Sequence, residues 1–292
     1  MNNFTFKIGE LACTIGNNEE YDGHAQGANG IHHLKSVHEA IDLFVPDRSG
    51  CNLQHIFDGY NYDDTWTFEP RNAPMEFRLI AENECQLYQP PTPNWEVESW
   101  TDYTILDPYY IDVRFTCRPH KNIFKYGYLG LFWSSYMNAP ENKSIFFWSY
   151  EPLMKKHHWM EFGTQFHNRD ASVPSIKCNY NLEVLPMPDN LRLYASVSPA
   201  RYYLPFFFGR VRDMVYTLMF PEEQEEHIRF AHSPLGGGFS MFQDFLNPAW
   251  DFYYIIPGYK VGETYQLKYR IIYKKFISRE DVKAEYEKWR GK

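Results

Sequence analysis

Along most of the chain, apolar and polar residues alternate with a period of two. In Tyr110-Ile111-Asp112-Val113-Arg114-Phe115-Thr116-Cys117, residues Ile111, Val113, Phe115 and Cys117 point one way, and Asp112, Arg114 and Thr116 point the other. Successive side chains of a strand face opposite sides, so this run predicts a half-buried β-strand. Residues 264–273 alternate in the same way over a longer span. Shorter runs predict strands at residues 4–8, 77–80, 85–88, 128–134, 145–148, 191–198, 211–220, 228–231 and 252–256. Clusters rich in proline and glycine separate them, notably residues 89–94 and 185–190. More than ten strands, without an internal repeat, a low-complexity linker or a shift in composition, predict an all-β fold: a large antiparallel two-sheet sandwich forming one domain over residues 1–292. The exception to the period of two lies at the end of the chain. Ser278-Arg279-Glu280-Asp281 offers a hydroxyl cap and first-turn acids, and Val282, Tyr286 and Trp289 then make one apolar stripe. This predicts a C-terminal helix docked on the sandwich. A short helical turn is also expected around residues 36–41.

Charge narrows the range of partners. Thirty-seven Asp+Glu against 29 Lys+Arg leave a net charge of −8, a poor match to nucleic-acid phosphates. No stretch approaches the length of a membrane span. The first residues show neither the basic start nor the apolar run of a signal peptide, which points to the cytoplasm, or to the periplasm or exterior for a chain whose signal has been removed. Cys13, Cys51, Cys85, Cys117 and Cys178 are odd in number and widely spaced. They are expected to be buried free thiols without a zinc site or a disulfide framework. No cofactor motif is present, and neither a metal nor a cofactor is expected.

Three segments carry more polar groups than packing needs. The first runs from Asn52 to Gly59 and continues through Phe68-Glu69-Pro70-Arg71 to Arg78, offering His55, Asp58, Arg71, Glu76 and Arg78. Carboxylates and guanidiniums fix hydroxyls and an imidazole moves a proton, the mixture that a sugar site needs. The structural alternative is a turn at Asp58-Gly59 with surface salt bridges. The second is His232-Ser233-Pro234-Leu235-Gly236-Gly237-Gly238, a strand entering a glycine loop, with His232 as a candidate acid or base. The third is Asn247-Pro248-Ala249-Trp250-Asp251, in which a tryptophan stands beside a carboxylate. Trp250, with Trp133 in the 128–134 run, is a candidate stacking surface for a sugar ring. His158 is a further catalytic candidate. Arg210, which is expected to share a strand face with Arg212, is a candidate clamp for ligand oxygens.

Size, strand density, aromatic loading and the long last strand Tyr265-Gln266-Leu267-Lys268-Tyr269-Arg270-Ile271-Ile272-Tyr273 resemble the galactose-mutarotase-like supersandwich proteins. The chain is also similar to bacterial proteins carrying Phe-Glu-Pro-Arg and Asn-Pro-Ala-Trp-Asp-Phe segments. The resemblance implies a two-sheet fold with a sugar or oligosaccharide ligand, and histidine and carboxylate acid–base chemistry near an anomeric carbon. The Asn-x-x-Gly-Arg signature of the mutarotases proper is absent. Three readings follow: an enzyme of the mutarotase, epimerase or glycoside-cleaving kind; a carbohydrate-binding protein without catalysis; or an interaction protein. In the enzyme reading His232, His55, Glu76, Asp251 and His158 are the catalytic candidates, and Arg71, Arg78, Arg210, Trp250 and Trp133 would bind substrate. The oligomeric state is not specified by any of these features.

Overall fold

The computed structural model describes residues 1–21, 23–60, 63–178, 196–235 and 246–291. Within them the strands form three antiparallel sheets. The largest has nine strands in the order β11 (Lys156–Phe162), β10 (Ile145–Glu151), β13 (Phe206–Val211), β14 (Met214–Met219), β17 (Tyr265–Lys275), β8 (Tyr110–Pro119), β7 (Val97–Leu106), β6 (Glu84–Gln89) and β5 (Glu76–Ala81). A second has five, in the order β12 (Ser172–Pro174), β15 (Ile228–Ser233), β16 (Ala249–Pro257), β9 (Tyr128–Ser134) and β4 (Asn52–Phe57). The third consists of β1 (Asn3–Ile8), β2 (Leu11–Gly16) and β3 (Gly30–Ser36).

The alternation read from the sequence decides which faces meet. Ile111, Val113, Phe115 and Cys117 of β8 and Leu267, Tyr269, Ile271 and Tyr273 of β17 turn to one side and enter the core. The five-stranded sheet packs onto that side. Trp133 meets the edge of Phe115 with ring centroids 4.9 Å apart, Phe252 meets Tyr269 at 5.2 Å, and Phe230 meets Phe207 at 4.9 Å. Edge-to-face and tilted pairs of this kind fill the space between sheets and add to the burial of large rings. Cys13, Cys51, Cys85 and Cys117 lie in this core as free thiols, and Cys178 is half-buried against Arg229.

The helix α3 (Arg279–Arg290) forms as expected, with the Ser278 hydroxyl accepting from Asp281 N–H at 3.1 Å. It covers part of the outward side of the nine-stranded sheet. Val282 and Tyr286 pack there against Phe206, Phe208, Val215 and Met219. Beneath it Lys274 is buried between Asp281 (3.0 Å) and Glu285 (2.9 Å). Burial opposes the Glu285 charge, but donors from Lys274, Tyr109 and Tyr110 outweigh it and hold the carboxyl below its usual range.

Three expectations change. Residues 211–220 are not one strand, because Arg212 and Asp213 form the turn of a β13–β14 hairpin and Arg212 adopts φ +55°. Arg210 and Arg212 therefore do not share a strand face. Residues 36–41 make a tight turn closed by reciprocal backbone bonds between Ser36 and Glu39, which leaves no helical turn. Asn52–Phe57, absent from the predicted strands, is strand β4, and two short helices follow it: α1 (Asp64–Thr67), capped by the Asp63 carboxylate, and α2 (Glu69–Asn72). Most of the predicted strand at 191–198, the 185–190 cluster and the triple glycine at 236–238 lie outside the described residues. Among the described residues no helix is long and apolar enough to cross a membrane.

Candidate functional site

The five-stranded sheet has a second face, turned away from the core. In β9, Leu129, Leu131 and Trp133 point inward, while Tyr128, Phe132 and Ser134 point outward. Register carries the same division into β16, with Trp250 and Phe252 inward and Asp251 and Tyr253 outward. In β4 a bulge disturbs the pairing between Leu53 and His55, so that His55 comes opposite Phe132. Bulges re-aim side chains, and here the bulge brings a histidine to the outward face. Asn29 fixes the start of β4 from the side: its Oδ1 accepts Leu53 N–H and its Nδ2 donates to the Leu53 carbonyl, both at 3.0 Å.

His55 stacks on Phe132 with centroids 5.1 Å apart and meets the edge of Phe68 at 4.5 Å. Phe68 is the joint between α1 and α2, so the short helices bring its ring against His55. One turn on, the Arg71 guanidinium lies 5.5 Å from the Phe68 ring centre, and its Nε donates to the Gly27 carbonyl at 2.9 Å. Gly27 has φ +87°, and a Cβ there would fall 3.2 Å from Arg71 Nε, so glycine provides both the backbone conformation and the space. Burial weakens the Arg71 guanidinium's hold on its proton. Gln54 Oε1 accepts from the Tyr136 hydroxyl at 3.2 Å, and the Arg48 guanidinium stands over the Tyr136 ring at 5.8 Å.

Farther along the same face lies Asp251, fully buried, with Oδ1 accepting Ser135 N–H at 2.9 Å. Burial pushes its carboxyl well above the usual range. Opposite it, Ser134 Oγ is buried without a hydrogen-bond partner among the described residues. His55 and Asp251 are two strands and two residues apart, a Cα separation of about 12 Å by strand geometry. Gln54, His55, Ser134 and Asp251 occupy positions on this sheet face that apolar side chains would fill at lower cost.

The other candidates lie elsewhere. Trp133 and Trp250 face the core between the two sheets, on the opposite side of their strands from Ser134 and Asp251, and offer no ring to a ligand on that face. His232 also faces inward. Its Nε2–H donates to the Lys143 carbonyl at 2.9 Å, its Nδ1 accepts Thr164 N–H at 3.1 Å, and burial lowers its pKa to about 4. Both ring nitrogens are thus engaged with backbone. Glu76 and Arg78 pair at 2.7 Å on the edge strand β5, on the solvent side of the nine-stranded sheet. His158 stands opposite Ser149 on the edge strand β11, on the reverse side of the strand from His157. Arg210 lines a cavity on the outward side of the nine-stranded sheet. Asp58 is buried in a loop, accepting from the backbone N–H groups of Tyr60 and Lys125. The face thus carries His55 and Asp251, with Arg71 held beside it on α2 through Phe68. Gln54, Tyr136, Arg48 and Ser134 join them without any motif to announce them.

No protein-family model matches the chain, and no curated protein matches it in sequence. Solved structures do match in fold. A galactose mutarotase related enzyme from Lactobacillus acidophilus superposes with a TM-score of 0.54 at 10% identity, over 93% of this chain and 97% of that one. A candidate aldose 1-epimerase from Escherichia coli K12 gives 0.54 at 8% identity, over 94% and 99%. A galactose mutarotase-like protein from Lactobacillus casei gives 0.50 at 10% identity, over 93% and 100%. The chain has the fold of the galactose mutarotase-like proteins.

Proposed function

We propose that the chain is a carbohydrate-active enzyme whose site is the outward face of the five-stranded sheet. The observation that carries the reading is the placement of His55, Gln54 and Asp251 on one sheet face, with Tyr136 hydrogen-bonded to Gln54 and Arg71 held beside His55 through Phe68. Solved structures of this fold that are named as a galactose mutarotase related enzyme and a candidate aldose 1-epimerase support a sugar as the ligand. Arg71, Gln54 and Tyr136 supply donors and acceptors that hold hydroxyls. Asp251, whose proton burial makes harder to remove, is the acid, and His55 is the base. In anomer exchange the base takes the proton of the anomeric hydroxyl while the acid protonates the ring oxygen. The C1–O5 bond then breaks and the carbonyl forms. Closure on the other face of that carbonyl returns both protons.

Exchange spectroscopy between the α- and β-anomeric protons of aldoses tests this reading. The expected result is acceleration above buffer for at least one sugar, lost in His55→Ala and Asp251→Asn. If no aldose exchanges faster than in buffer and no saccharide raises Tm, the proposal fails. A rise in Tm without turnover, unchanged by either substitution, would also count against it.

A further inference from the structure

Across the molecule from this face, on the outward side of the nine-stranded sheet, a cavity of about 690 Å³ opens beside the start of α3. Phe146, Phe208 and Phe276 line its base, the first two almost fully buried and Phe276 half-buried. Phe146 and Phe208 stack at 5.2 Å, and Phe276 continues the series 6.3 Å from Phe208. Two arginines lie over these rings: Arg210 at 4.4 Å from the Phe276 centre and Arg279 at 4.7 Å from that of Phe146. Among the described residues neither has a carboxylate within ion-pair distance. A guanidinium lying on a ring keeps its N–H donors at its edge, where a ligand can use them.

The opposite wall is acidic and hydrogen-bonded to its surroundings. Glu141 accepts Arg212 N–H at 2.8 Å, and Glu161 accepts from Asn142 Nδ2 at 2.8 Å. The left-handed backbone of Arg212, unusual for a residue with a side chain, accompanies that amide bond, and its side chain is committed to Glu39 at 2.9 Å. The segment bearing Glu141 and Asn142 is pinned from the core by the Lys143 carbonyl, which accepts both His232 Nε2–H (2.9 Å) and Trp250 Nε1–H (2.7 Å). Trp250 in turn requires glycine at position 209, just before Arg210, because a Cβ there would sit 2.2 Å from its ring. His232 and Trp250 are therefore positioning residues for this second wall.

We infer that this cavity is a second saccharide site, and that its ligand is a neutral pyranose. The Arg212 charge is taken up by Glu39, which leaves Arg210 and Arg279 facing Glu141, Glu161 and Asp213, so the cavity carries no excess positive charge to compensate an anionic ligand. Guanidinium donors facing carboxylate acceptors suit hydroxyls, each of which gives one hydrogen bond and accepts others. The volume lies within the usual range for small-ligand pockets.

Methyl hexopyranosides, whose anomeric oxygen is blocked against mutarotation, serve as probes, and D-glucuronate serves as the charged control. Calorimetric titration of the full chain is expected to give binding that Arg210→Ala with Arg279→Ala weakens at least tenfold and Arg71→Ala leaves in place. Both arginines are exposed and make no ion pair among the described residues, so the double variant is expected to fold, which its circular dichroism checks. Tenfold preference for the neutral sugar over glucuronate is the second expected result. Binding unchanged in the double variant, no binding by any neutral pyranoside, or a preference for glucuronate would each overturn the inference. Binding lost in Arg71→Ala alone would overturn it while leaving the first site standing. Binding lost in the double variant, with no anomer exchange, would leave this inference standing and remove the other.

Discussion

The two faces of the five-stranded sheet are built on the same backbone and differ completely in chemistry. The inward face presents Leu53, Ile56, Leu131, Trp133, Phe230, Trp250 and Phe252, all buried against the nine-stranded sheet. The outward face presents Gln54, His55, Ser134 and Asp251 among Phe57, Phe132 and Tyr253. Residues next to one another in sequence, such as Trp250 and Asp251, therefore serve different ends. Trp250 fills the core and ties down Lys143, while Asp251 holds a proton that the surrounding protein makes hard to remove. Burial is common to both faces, so burial alone does not distinguish packing from chemistry. What distinguishes them is whether the buried group carries a desolvation penalty that an apolar residue would avoid.

The comparison can be broken most severely at Trp250. Trp250→Ala removes a fully buried indole and its donor to the Lys143 carbonyl. A loss of about 3–5 kcal/mol is expected from cavity formation alone, read by urea unfolding. His55→Ala on the other face should behave in the opposite way. Turnover of the responsive aldose is expected to fall about 10²–10⁴-fold, the usual share of a general base, with a smaller change in Tm. A variant that unfolds as readily as Trp250→Ala would place His55 among the packing residues.

Acid should act on the inward face first. The His232 pKa is about 4 in the fold against an ordinary value near 6.5. The unfolded chain therefore binds the extra proton between these values, and the stabilising contribution is complete above pH 6.5 and lost as pH falls toward 4. The shift corresponds to about 3 kcal/mol. His24 and His32, stacked at 3.6 Å and lowered by burial, act in the same sense. Unfolding measured at pH 7 and pH 4.5 should show a steep loss, made shallower in His232→Asn. Asp251 runs in the reverse direction. Its raised carboxyl favours the fold below the ordinary carboxylate range, and that advantage fades as pH rises. Asp251→Asn should therefore gain stability relative to the wild type as pH increases from 4 to 8, while turnover is lost. A stability difference that does not vary with pH would mean that the carboxyl is not held protonated.

The smallest effect is expected at Glu76 and Arg78. Their side chains are 57% and 40% exposed, and surface ion pairs contribute about 0–1 kcal/mol. Glu76→Ala should leave turnover unchanged and Tm nearly so. A large loss of activity would show that the solvent side of β5 takes part in the site.

How much of this was legible in the sequence differs between the two faces. The alternation in 110–117 and 264–273 identified β8 and β17 and the side of each that enters the core, because a strand's side-chain period is a property of its own backbone. The capped amphipathic run after Ser278 likewise identified α3. His55, Arg71 and Asp251 were legible as chemistry-bearing residues, because ionisable groups beside apolar runs need a reason to be there. That Trp133, Trp250 and His232 turn inward was not legible. Their facing follows from which neighbour each strand pairs with and in what register. The bulge that brings His55 opposite Phe132, the pairing of Gln54 with Tyr136 across 82 positions, and the fixing of the Glu141 wall by His232 and Trp250 all depend on contacts between distant segments. Local sequence determined the strands, the helix and the residue types available for chemistry. Only the tertiary structure decided which of those residues share a face, because register and sheet order are set by the packing of the whole chain.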